Sequence, residues 1–245
     1  MRIRRGVAFV LVFALLGMQA AAQPRTEIPV PTQLATGHLA SVVDMPLYFR
    51  LYRAHLPAAQ HASYRGSSAM LYDLSGDPAI GIDGGAPQPL VQGAGAFVAA
   101  GQTATLSASG SEPSDFLLFV LTARPNQLPP LDRPAIVKEL YRTPDPLPDL
   151  RAGPYEFSLA RVTFPAAMPA TPAHYRSGAA LDYVLAGTAV LAADGKTEAV
   201  SAETALLERF GWVHRWANPG DQPLVLLQAT ISREGDPATH PVDEQ

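Results

Sequence analysis

HYRSGAALDYVLAGTAVLAADG, His174 to Gly195, is the stretch on which the fold turns. Its short apolar runs are punctuated first by Gly187 and then by Asp194-Gly195. Runs of this length, closed by Asp-Gly and followed by another polar-apolar alternation, read as strands joined by a two-residue hairpin turn. PLVLLQATIS, starting at Pro223, repeats the strand signal. Several short strands at regular turn spacing predict an all-β sandwich or barrel.

The same stretch has an earlier counterpart. YRGSSAMLYDLSG, starting at Tyr64, aligns with YRSGAALDYVLAG, starting at Tyr175, at an offset of 111 residues. Tyr64, Arg65, Ala69, Tyr72, Leu74 and Gly76 recur as Tyr175, Arg176, Ala180, Tyr183, Leu185 and Gly187. Asp83-Gly84 recurs as Asp194-Gly195, and FRLYRAHLPA from Phe49 recurs as FSLARVTFPA from Phe157. Ordered identities with small indels indicate duplication of a unit of about 100 residues, which is the size of a domain rather than of a solenoid repeat. The expected units are residues 45–125 and 155–232, after an N-terminal segment 23–44. They are joined by a Pro-rich linker, 126–154, and followed by a polar, frayed tail, 233–245. In the linker, Asp132 as cap and Pro134 in the first turn predict a short helix running to about Tyr141.

MRIRRGVAFVLVFALLGMQAAAQ has three arginines, an apolar run from Gly6 to Met18 and then Ala20-x-Ala22. That order reads as a secretory signal peptide, 1–22, cleaved after Ala22, because the apolar run is shorter than the roughly 20 residues a membrane span requires. The expected location is therefore periplasmic or secreted, with no membrane span in the mature form. Loss of Arg2, Arg4 and Arg5 takes the formal charge from −4 to −7. A mildly acidic chain without a Lys/Arg block is a poor nucleic-acid binder. There is no Cys, so stability rests on a core that 47% apolar residues can build.

TPAHYRSGAALDYVLAGTAVLAADGK, followed by GWVHRWANPGDQPLVLLQATIS, resembles the cupins, and the duplication resembles a bicupin. The resemblance implies two jelly-roll barrels in tandem, many relatives of which carry one metal. The family's first motif has two His one residue apart, then a Glu and a Gly; its second has Pro-x-Gly, a His and an Asn. In the second copy His174 stands at the first His, Arg176 at the second, Ala180 at the Glu and Gly187 at the Gly. Gly211, His214 and Asn218 fit the second motif, and Arg209 replaces its Pro. In the first copy Ser63, Arg65, Ala69 and Ala104 occupy the ligand positions, so that copy has no ligand set.

A divalent ion takes three or four N or O ligands. Two imidazoles are few, and Arg176 is a permanent cation. No cofactor is therefore expected. Asp182 shares strand parity with Ala180 and is expected to pair with Arg176, since a buried guanidinium requires an anion. Trp212, His214 and Trp216 share parity and are expected on one strand face, with Tyr183 nearby and Asn218 near the rim. His38, His55, His61 and His240 match no motif and read as surface or packing residues.

Three functional readings stand open. The first is an exported protein binding a small anionic or polar organic molecule through His174, Arg176, Tyr183, Trp212, Trp216 and Asn218, with His214 and Asp182 as a metal-free acid/base pair. The second is a metal enzyme of the dioxygenase or isomerase type, with His174, His214 and Asp182 holding iron, manganese or zinc. The third is a structural or partner-binding protein with filled barrels. A fold alone does not choose among them.

Overall fold

The computed structural model describes residues 28–42, 46–108, 110–126, 131–147 and 150–242. The expected leader lies outside them. Among the described residues every regular element is a strand.

The first strand among the described residues, β1 (Val30–Val42), is long and belongs to neither repeat. The first repeat supplies β2 (Tyr48–Leu56), β3 (His61–Arg65), β4 (Ser68–Ser75), β5 (Pro78–Ile82), β6 (Gln88–Pro89), β7 (Gly95–Val98), β8 (Thr103–Ala108) and β9 (Ser114–Thr122). After β10 (Ile136–Arg142), the second repeat supplies β11 (Gly153–Phe164), β12 (His174–Arg176), β13 (Ala179–Ala186), β14 (Thr188–Ala193), β15 (Lys196–Ser201), β16 (Ala205–Glu208), β17 (His214–Ala217) and β18 (Leu224–Arg233); β19 (Thr239–Pro241) follows.

These strands form four layers. The sheets β3-β8-β5-β6 and β10-β2-β9-β4-β7 enclose the first barrel, and β1-β11-β18-β13-β16 and β15-β14-β17-β12-β19 enclose the second. Alternation along the strands of the two facing sheets sends one set of side chains into a barrel and the other into the seam between barrels. Phe49, Leu51, Met70 and Phe119 of the first repeat thus meet Phe157, Leu159, Leu181 and Ile231 of the second in one apolar core. Tyr52, Tyr64, Leu71, Leu106 and Phe116 fill the first barrel. Phe164, Leu191, Trp216 and Leu226 pack inside the second.

The duplication is visible in the backbone. β4 and β13 pair antiparallel with β9 and β18, and both ladders slip one residue near the strand end, between Asp73 and Ser75 and between Val184 and Ala186. Asp83-Gly84 and Asp194-Gly195 all have positive φ, between 51° and 77°. Two successive positive φ angles make the type I′ turn that joins twisted strands, and Asp-Gly tolerates it.

Two sequence expectations are corrected. The linker helix does not form: β10 occupies that stretch and pairs with β2 from Ile136↔His55 to Arg142↔Arg50. The Asp132 carboxylate accepts the Ser63 N–H at 2.6 Å, so it caps a strand junction and not a helix. The β-branched pair Ile136-Val137 and the open edge of β2 outweigh the local helix signal. The tail is not frayed through Pro241. β19 pairs with β12 from His174↔Pro241 to Arg176↔Thr239, and the Val242 N–H donates to the Ala173 carbonyl. The segment ahead of the first repeat crosses over: β1 pairs with β11 and extends the second barrel's sheet.

Candidate functional site

The second barrel holds a polar cluster where the first holds hydrocarbon. Glu208, at the end of β16, stands directly opposite Ala180 of β13. The matching pair in the first barrel is Val98 opposite Ala69. Asp182 faces Gln228 in the second barrel, where Leu71 faces Leu118 in the first. Arg176 turns inward and is 7% exposed, whereas Arg65 turns to solvent.

Glu208 is the hub and is fully buried. Its Oε2 accepts Arg176 Nε, and its Oε1 accepts Trp216 Nε1–H at 2.6 Å. His214 Nε2 lies 2.8 Å from Oε1, a close polar contact. The other nitrogen of that ring, Nδ1, donates to the Trp212 carbonyl at 2.9 Å. Arg176 Nη1 also donates to Thr239 Oγ1, so the tail completes the cluster. Arg176 Nη2 makes no hydrogen bond among the described residues.

Burial pushes the Glu208 carboxyl up, but the Arg176 charge, the His214 ring and the Arg176 hydrogen bond together outweigh it and hold Glu208 below the usual carboxylate range. Asp182 goes the other way. Burial and then the Glu208 charge raise it well above its ordinary value, against the pull of Arg176. Two buried carboxyls near one guanidinium are therefore pushed apart: Glu208 toward the charged form and Asp182 toward the protonated form. Asp182 Oδ1 accepts Gln228 Nε2–H at 2.8 Å.

His174 sits beside this cluster, its ring 4.4 Å from that of His214. Its Nδ1–H donates to the Pro172 carbonyl at 3.0 Å, which leaves Nε2 with its lone pair. Burial lowers its pKa, and the nearby His214 and Arg176 charges lower it further. His174 and Arg176 line a cavity of about 230 Å³, together with Gln228, Thr239, Thr171 and Trp216. Apolar walls come from Val162, Phe164 and Leu226, and from Pro29 and Pro31 at the start of the crossing strand.

Several expected site residues lie elsewhere. The anion facing Arg176 is Glu208, in place of the expected Asp182. Tyr183 alternates away from Asp182 and packs in the seam between barrels. Trp212 precedes β17 and does not share a strand face with Trp216. It stacks outside His214 at 5.2 Å and donates to Asp194 Oδ2 at 2.9 Å. Asn218 is a buried staple and not a rim residue: its amide donates to the Pro165 and Gln222 carbonyls, both at 2.8 Å. Glu208 went unseen because strand register, not sequence spacing, places it across from Ala180. Its one signal was a lone carboxylate closing the apolar run ALLE.

Residues 160–230 match the family model for the cupin domain. The match runs from β11 to β18, within the second barrel. No curated protein matches it in sequence. Among solved structures it is similar to an oxalate decarboxylase, at a TM-score of 0.55 and 15% identity, covering 82% of this chain and 72% of that one. A structure of the Bacillus subtilis oxalate decarboxylase, a protein with Mn(II) centres, gives 0.52 and 15%, covering 89% and 82%. AerE from Microcystis aeruginosa gives 0.52 and 16%, covering 84% and 97%. These likenesses establish the fold.

The donor set does not suit the metal that such folds hold. The proposed triad of His174, His214 and Asp182 is not assembled: Asp182 faces Gln228 and accepts its amide hydrogen bond. Glu208 is the carboxylate beside the two imidazoles, and Arg176 and Trp216 already engage both its oxygens. Among the described residues no three His, Asp or Glu side chains are grouped to hold an ion.

Proposed function

We propose that the second barrel binds a small oxygen-rich organic molecule, a carboxylate by preference, and that the first barrel is scaffold. One observation carries this reading: His174 and Arg176 open into a cavity of about 230 Å³, while apolar side chains fill the matching space in the first barrel. Arg176 Nη2, Thr239 and Gln228 offer polar contacts to ligand oxygens, and the apolar walls exclude water. The volume lies below the range for drug-sized ligands, which favours a short carboxylic or hydroxy acid. His174, neutral and with Nε2 uncommitted, is the proton acceptor in any acid/base step. His214 is committed to Glu208 and Trp212.

The test is calorimetric titration with acetate, oxalate, lactate and succinate. At least one should bind saturably, and His174→Gln should weaken it about tenfold. Absence of binding across the panel, or binding indifferent to His174→Gln, overturns the reading.

We also propose that the chain is exported; the support is the Arg-rich, apolar, Ala-x-Ala order of residues 1–22. N-terminal sequencing of native protein should begin at Gln23, and an intact Met1 would refute export.

A further inference from the structure

β12 has two faces. His174 and Arg176 belong to the barrel, and Tyr175, between them, turns the opposite way with Ser177 into a separate groove of about 570 Å³. Tyr175 pairs with His240 across the β12–β19 ladder, and the two rings stack at 5.1 Å and 13°. Phe210 forms another wall with 43% of its surface exposed, and its backbone is held against Arg176 by a parallel bridge.

Arg151 and Arg233 also line this groove. Both are exposed, and neither forms an ion pair among the described residues. Asp236 is the one carboxylate in the lining. Two such guanidinium groups in one groove are notable in a chain of formal charge −4. The hydroxyl of Ser177 is buried and lacks a hydrogen-bond partner. A buried, unmet hydroxyl costs free energy that an oxygen placed in the groove would recover. Tyr155 is already occupied, since its hydroxyl bonds the Arg151 backbone on both sides at 2.9 Å, and it fixes the loop that carries one arginine.

We propose that this groove is a second ligand site, independent of the barrel, for a small organic anion with a flat apolar body. The anionic group lies with Arg151 and Arg233, whose planar forks suit carboxylate or phosphate oxygens. The body rests on Phe210 and the Tyr175–His240 stack.

Phenyl phosphate is the probe, titrated into the full chain and followed by calorimetry. Saturable one-site binding is expected, several-fold tighter than that of inorganic phosphate. The exposed double variant Arg151→Gln/Arg233→Gln should keep the wild-type melting temperature and lose at least tenfold in affinity. His174→Gln should leave phenyl phosphate binding unchanged. No saturable binding, equal affinity for inorganic phosphate, or an unaffected double variant overturns the proposal. So does loss of binding in His174→Gln, which places the probe in the barrel.

Discussion

Glu208 faces Ala180 across the β13–β16 ladder, so a carboxylate enters the second barrel from the strand beside the one where the cupin motif carries its glutamate. From there it meets Arg176, which stands at the motif's second histidine. The two departures compensate each other: a cation replaces a ligand, and an anion arrives to neutralise it. What results is a fixed ion pair in a nearly dry interior.

Removing one partner of such a pair leaves the other charge buried and alone, at about 3–5 kcal/mol. Glu208→Ala should therefore lower stability by about that much in urea unfolding, with Trp216 Nε1–H and Arg176 Nε both losing their acceptor. The paired change Arg176→Met/Glu208→Leu should recover most of it, because well-packed apolar replacements of buried ion pairs are often neutral or better. If Glu208→Ala unfolds like wild type, the pair has no structural role.

Asp182 predicts a pH signature of opposite sign to that of Glu208. The folded chain keeps a proton on Asp182 that the unfolded chain releases above its ordinary value of 3.8. Its contribution to stability is full below that value and is lost as pH rises toward the raised folded value. Glu208, held below its ordinary 4.5, contributes above that value and loses its contribution in acid. Asp182→Asn keeps the hydrogen-bonding shape and removes the titration. Relative to wild type it should gain stability between pH 4 and pH 8, measured by urea unfolding at both ends. A difference that does not change with pH would show that Asp182 is ionised in the fold.

Asp73 in the first barrel predicts a second, separable slope. It is fully buried at the β4 bulge, and burial, opposed in part by the Ser75 backbone N–H and helped by a smaller push from Asp77, raises it to about 6. Its stabilising contribution is present below 3.8 and disappears as pH climbs through about 6. Two pKa units correspond to about 3 kcal/mol, an upper bound for Asp73→Asn at pH 8. The gain should shrink to nothing near pH 4; an equal gain at both pH values would assign it to packing.

The fold was legible because its signals are local. Asp83-Gly84 and Asp194-Gly195 carry their turn geometry in two residues, and the repeat aligned Arg65 with Arg176 before any strand was placed. Pairing partners were not legible. Asp132 and Pro134 satisfy helix-start rules, yet the edge of β2 claims the residues that follow. Thr239 and His240 lie in a polar tail with no strand signal of their own, and β12 recruits them. Of the expected site residues, His174, Arg176 and Trp216 line the second barrel's cavity. Glu208 was missed, and Asp182 was given its partner, because a one-residue choice of register decides which side chain lies opposite Ala180.

The last prediction concerns metal. Glu208 is 2.8 Å from His214, and His214 is 4.4 Å ring to ring from His174, so a carboxylate and two imidazoles lie near the Arg176 cation without being grouped to hold an ion. Arg176→His removes that cation, releases Glu208 and adds a third imidazole. The bare variant should be less stable than wild type, since Glu208 is then buried without its cation. Added Mn(II), Co(II) or Zn(II) should restore it, because an ion that binds only the folded state stabilises by about 2.7 kcal/mol at a hundred times its Kd. The expected result is a melting temperature that rises with metal in Arg176→His, rises much less in wild type, and does not rise in Arg176→His/Glu208→Gln. A wild-type response equal to that of Arg176→His would show that Arg176 yields to the ion, and that the second barrel is a metal site held in reserve by its own salt bridge.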